Sequence, residues 1–113
     1  MKTKYYFDEL TALQEGYFII RQLGNHSVGA TIHEGKPIVL LDYCPHAGAP
    51  ICKGKILPKP VAMQLEENHP VLRCPWHGWE FNMKSGDTFK FHSNLRLPKL
   101  QYELENDSIY IWI

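Results

Sequence analysis

The chain has 113 residues, 44% of them hydrophobic and 21% charged, which is enough for one modest core and too little for a second unit of ordinary size. Twelve basic residues balance twelve acidic ones, so no global field favours nucleic acid or an anionic membrane, and neither is expected as a partner. The first residues have no apolar signal core and no stretch reaches the length of a membrane span. Three cysteines, an odd number, argue against a disulfide framework, and together these features lead to the expectation of a cytoplasmic protein.

Residues 1–15 are weakly patterned and read as a loop or a short helical turn around Leu10 and Leu13. Tyr17–Leu23 is rich in β-branched and aromatic side chains and predicts a strand, ended by turn chemistry at Gly24-Asn25-His26-Ser27. Val28–His33 and Pro37–Asp42, joined by Glu34-Gly35-Lys36, predict a hairpin that leads into Cys44. Lys55–Leu57 predicts a further strand and Pro58-Lys59-Pro60 a stiff link. Val61–Leu65 with Val71–Arg73 predicts a hairpin tipped by Glu66-Glu67-Asn68-His69-Pro70. Glu80–Met83, Asp87–Phe91, Gln101–Glu105 and Ser108–Ile113 complete the strands, punctuated by Lys84-Ser85-Gly86, Pro98 and Asn106-Asp107. Many short strands without a helical stripe mean an all-β class, an antiparallel sandwich or barrel.

Two stretches stand apart, Cys44-Pro45-His46-Ala47-Gly48 and Cys74-Pro75-Trp76-His77-Gly78. Each offers one thiolate and one imidazole with a glycine following, and Cys44, His46, Cys74 and His77 are the candidate metal ligands. Structural zinc sites commonly put Cys with Cys and His with His, whereas the mixed order suits two metals, with both sulfurs on one and both nitrogens on the other. A structural zinc-binding module remains the competing reading of the same four residues. Cys52 has no partner at loop spacing and reads as a free thiol.

These loops, with Cys-Pro-Trp-His-Gly-Trp-Glu-Phe at the second, resemble the cluster-binding loops of the Rieske-type 2Fe-2S ferredoxin family. The resemblance implies one Rieske-type 2Fe-2S cluster as cofactor, held by Cys44, His46, Cys74 and His77. It also implies a single domain over 1–113 whose small cluster lobe, about residues 42–86, is inserted in a β base. The 27 residues between His46 and Cys74 exceed the family's usual spacing by roughly ten, so an insertion is expected near 58–70. High-potential members carry hydroxyls where this chain has Trp79 and Phe81, and loop-bridging cysteines where it has Ala49 and Trp76. The absence of both devices implies a potential near the low end of the Rieske range, about −150 mV. A small apolar face from Pro45, Ala47, Ala49, Pro50 and Trp76 is expected to meet partners.

The function implied is that of a soluble one-electron carrier between a flavoprotein reductase and an acceptor oxygenase or other oxidoreductase. The alternative is a small electron-transfer subunit of a larger oxidoreductase, of the nitrite reductase type. Rieske oxygenases need a further catalytic domain with its own iron, and the sequence stops at Ile113, so an electron-transfer protein rather than an enzyme is expected.

Overall fold

The computed structural model describes residues 2–45, 48–58, 70–76, 79–88 and 95–113. Nine strands are described: β1 (Lys4–Glu9), β2 (Ile19–Leu23), β3 (His26–His33), β4 (Lys36–Leu41), β5 (Lys55–Leu57), β6 (Val71–Arg73), β7 (Glu80–Asn82), β8 (Gln101–Glu105) and β9 (Ser108–Trp112). They form three antiparallel three-stranded sheets, ordered β1-β9-β8, β2-β3-β4 and β5-β6-β7. Among the described residues the helices are single 3-10 turns, at Leu10–Ala12 and Ile51–Lys53. The all-β expectation therefore holds.

Local chemistry sets two of the hairpins. Glu34 and Gly35 take positive φ values of 51° and 77° between β3 and β4, and Asn106 and Asp107 take 51° and 67° between β8 and β9. Two successive left-handed residues twist the chain in the sense that paired strands require. The middle sheet is buried on both faces, which is why β3 lacks the usual alternation of buried and exposed positions. Ala30, paired with Ile19 and Val39, faces a core completed by Phe7, Leu23, Val28, Ile109 and Ile111. Gly29, paired with Ile20 and Leu40, faces the other core, which contains Phe18, Ile51, Leu72, Phe81 and both Cys44 and Cys74. One sheet thus joins the β base to the cluster lobe.

The opening residues depart from the sequence reading. The short helical turn is present at Leu10–Ala12, but a strand, β1, precedes it and pairs with β9 from Lys4↔Trp112 to Glu9↔Ser108. Its partner lies about a hundred residues away and Phe7 is its only buried side chain, so no local pattern marked it. Polar contacts hold this edge: Tyr6 and Ser108 hydroxyls both donate to Glu9 Oε2 at 2.7 Å, and Lys4 bonds Glu103 and Glu105. The Tyr6 hydrogen bond first, then that of Ser108, lowers the Glu9 pKa, and the Lys4 bond lowers that of Glu103. A depressed carboxylate pKa adds stability that is present above its unfolded value and is lost as pH falls through the folded one. The Tm is accordingly expected to drop as pH is lowered below about 4, and to drop less steeply in Glu9→Gln, measured by thermal melts at constant ionic strength.

The remaining differences lie around the second loop. β6 pairs with β5 (Lys55↔Arg73 to Leu57↔Val71) and with β7, so Val71–Arg73 is the centre of a small sheet. The inserted segment is the connection between β5 and β6, and its expected strand Val61–Leu65 lies outside the described residues. Asp87–Phe91 is represented among the described residues by bridges alone, Phe81↔Thr88 and Asp87↔Arg96, and 89–94 lie outside them.

Asp42 fastens the lobe to the base. Its Oδ1 accepts the Cys52 N–H at 2.9 Å, its Oδ2 accepts the Ser27 hydroxyl at 3.3 Å, and its own N–H donates to the Ser27 carbonyl at 2.9 Å. Asp42→Ala would strand the N–H of a buried residue, at a cost of about 1–3 kcal/mol, whereas Ser27→Ala should cost under about 1 kcal/mol. Urea titrations of the two variants check the order.

Candidate metal centre

Each cysteine follows a strand end, Cys44 after β4 and Cys74 after β6, so paired backbone aims both loops before any ligand is bound. The loops are closed in the same way. Cys44 N–H donates to the Ala49 carbonyl at 2.7 Å, and Cys74 N–H donates to the Trp79 carbonyl at 2.7 Å, a span of five residues in each case. Gly48 N–H adds a bond to the Cys44 carbonyl at 2.8 Å, and Gly48 stands at φ 74°, where a side chain would be strained. Proline follows both Cys44 and Cys74, so neither loop has an amide hydrogen at that position.

The two thiols come together. Cys44 is 0% and Cys74 2% exposed, and the two free thiols share one core with Ala49, Ile51, Leu72, Phe81 and Leu97. Burial first, then the bond to Cys44, pushes the Cys74 thiol up to about 11, opposed in part by a backbone hydrogen bond at Trp76. His46 and His77 lie outside the described residues. Trp79 stacks on Phe81 with centroids 6.4 Å apart and planes 27° apart, and Phe81 is fully buried, in line with a packing role below the loops.

Cys52 is separate from this pair. Its sulfur packs against the middle sheet so closely that a Cβ placed on Gly29 would sit 2.3 Å from it. Burial first, then the Asp42 charge and hydrogen bond, pushes this thiol strongly up, so it is an inert packed group. The expected apolar contact face needs one correction. Ala49 is fully buried because its carbonyl closes the first loop and its methyl joins the core, so it cannot meet a partner. Ala47 lies outside the described residues, while Tyr43 and Trp76, 53% and 50% exposed, are the large apolar side chains flanking the site.

The sequence model of the Rieske 2Fe-2S domain matches residues 3–101. The chain belongs to this family. A curated relative, human apoptosis-inducing factor 3, is 35% identical over 68 residues, which are 60% of this chain and 9% of that protein's length. Among solved structures, the ferredoxin of carbazole 1,9a-dioxygenase from Nocardioides aromaticivorans IC177 superposes with a TM-score of 0.71 at 17% identity, covering 96% of each chain. Apo dicamba monooxygenase gives 0.69 at 25% identity, covering 97% of this chain and 33% of that one. The Rieske fold thus accounts for nearly the whole of this chain.

A Rieske domain carries a single 2Fe-2S cluster, and the described donors fit one. The buried Cys74 thiol, pushed up to about 11, has little reason to ionise by itself, and ferric iron would supply the compensating charge that holds it as a thiolate. Sequence reasoning found these donors but passed over what positions them: Asp42, Gly29 and Gly54, whose roles depend on neighbours distant in the chain. Glu80 was passed over as well. It is 2% exposed although it alternates with buried Phe81, because this face of the small sheet is also covered, as fully buried Val71 indicates.

Proposed function

We propose that this chain, as one domain over 1–113, is a one-electron carrier whose cluster is bound by Cys44 and Cys74 at one iron and His46 and His77 at the other. The observation that carries the reading is the meeting of Cys44 and Cys74 at the ends of two loops closed by equivalent N–H to carbonyl bonds. When bound, such a cluster stores and releases one electron without making or breaking bonds in a substrate. The chain's own part is to exclude water from the sulfur side, through Leu97, Phe81 and Ile51, and to keep both loops rigid so that little rearranges as charge changes. A flavoprotein reductase as donor and an oxygenase as acceptor are the partners that agree with a fold shared by the ferredoxin of a dioxygenase.

Visible absorption and low-temperature EPR before and after dithionite test the reading. A red-brown protein whose reduced form gives the rhombic signal of a His-ligated cluster is the expected result, whereas a colourless protein holding one tight zinc after anaerobic reconstitution overturns it. With Phe81 and Trp79 offering no hydroxyl to the sulfurs, the midpoint should fall near −150 mV, about the low end of the Rieske range. A redox titration centred well above zero would contradict that value.

A further inference from the structure

Beside the Cys74 loop lies a cleft of about 400 Å³ lined by Lys53, Gly54, Lys55, Arg73, Cys74 and Pro75. Its three cations are exposed and, like Lys2, Lys36 and Lys99, make no ion pair among the described residues, whereas Lys4, Arg21, Lys84 and Arg96 each have a carboxylate within 4 Å. Lys55 and Arg73 are direct cross-strand neighbours on β5 and β6. Like charges so placed repel, and the usual arrangement pairs opposite signs or separates the charges. The carboxylate on Arg73's other side, Glu80 of β7, is buried rather than in the open cleft.

In a chain with zero formal net charge, three unpaired cations are thus gathered at one place, and that place borders a proposed ligand. Trp76, half exposed, extends the same loop and offers an apolar contact next to the charges. A cationic concavity beside a proposed cluster ligand, with an aromatic at its edge, fits a complementary surface that must bind briefly and in one orientation. Resting on the electron-carrier reading, we propose that the Lys53, Lys55 and Arg73 cleft is the docking site for a carboxylate-bearing face of a protein redox partner. Carboxylates of that partner would relieve the repulsion between Lys55 and Arg73. An unpaired cationic row trades some stability of the free lobe for fast, orienting encounter.

Two charged oxidants and an acidic peptide test this with the holoprotein. Ferricyanide takes one electron from the reduced protein and becomes ferrocyanide, and tris(phenanthroline)cobalt(III) takes one and becomes the cobalt(II) complex. By stopped flow, the ferricyanide rate should fall with rising salt and fall roughly tenfold in Lys55→Glu/Arg73→Glu. The cobalt rate should rise in the same variant, and Lys2→Glu should change neither by more than a small factor. Hexaglutamate should slow ferricyanide oxidation of the wild type at constant ionic strength, and its calorimetric binding should be lost in the double variant. Lys55→Glu alone should raise the Tm, since it sets opposite charges across the β5–β6 pair, and Lys53→Glu, outside that pair, gives a second reading that does not depend on the sheet. Unchanged rates in folded, cluster-bearing variants overturn the docking proposal and leave the electron carrier standing. Equal competition by inorganic phosphate overturns it too, by showing a small-anion site. A wild type that never forms a cluster brings down the electron-carrier reading, and the docking proposal with it.

Discussion

Cys44→Ser and Cys74→Ser are each expected to abolish the visible spectrum and the reduced EPR signal completely, and His46→Ala and His77→Ala to do the same by removing the donors proposed for the other iron. The serine variants are the more informative, because the hydroxyl nearly preserves shape and hydrogen bonding while removing the soft anionic donor. The two free thiols lie in one core with Leu72, Phe81 and Leu97, so one serine leaves the second cysteine in place without its fellow donor. Cluster binding is coupled to folding wherever a site is not fully formed without it, so the loss should also appear as a lower and broader melt. Cys52→Ser is the control. It sits against Gly29, apart from the pair, and should keep the cluster while costing about 1–2 kcal/mol for a polar atom placed in a tight apolar contact. A Cys52 variant without the cluster, or a Cys44 variant with it, would overturn the ligand assignment. Iron and sulfide analysis beside the spectra separates these cases from a zinc-filled site.

Gly54→Ala should be the most damaging methyl addition among the described glycines. A Cβ at Gly54 would lie 1.9 Å from the Arg73 carbonyl oxygen and 3.1 Å from that of Ile51. Both are backbone atoms, so no rotamer change can relieve the clash, and β5 must move away from β6. Overpacking typically costs about 1–3 kcal/mol, and a rigid obstacle places this case at or beyond the upper end. The displacement would reach the site, because Arg73 directly precedes Cys74, and cluster occupancy should fall with stability. Gly35→Ala is the contrasting case. Nothing lies within 4 Å of its added methyl, and only the φ of 77° is unfavourable, worth about 1–2 kcal/mol with no effect on the cluster. Chemical denaturation and iron content of the two variants check both. A Gly54 variant as stable as Gly35→Ala would contradict the close approach of β5 and β6.

The strands after Gly16 were legible because each carries its own signal: β-branched runs, then glycine, asparagine or aspartate where φ turns positive. Lys55–Leu57, Val71–Arg73 and Gln101–Glu105 have the bounds their residue types indicate. β1 was not legible, because its pairing with β9 is non-local and only one of its own side chains, Phe7, is buried. The same contrast runs through the site. Cys44 and Cys74 announced themselves by spacing and by the residues around them, since ligand chemistry admits few residue types. Ala49 read as a contact residue because composition does not report which face of a loop is covered, and the structure buries it.

What the sequence determined unaided was therefore the all-β class and the family those loops point to, both encoded in short segments whose chemistry is nearly independent of context. Tertiary structure decided the rest: a middle sheet buried on both faces, Asp42 as the tie between lobe and base, Gly54 as the point where two strands nearly touch, and the gathering of Lys53, Lys55 and Arg73 beside Cys74. Those features are relations between residues far apart in the chain. Burial, close approach and the field at a surface are sums over spatial neighbours, and only the folded chain brings those neighbours together.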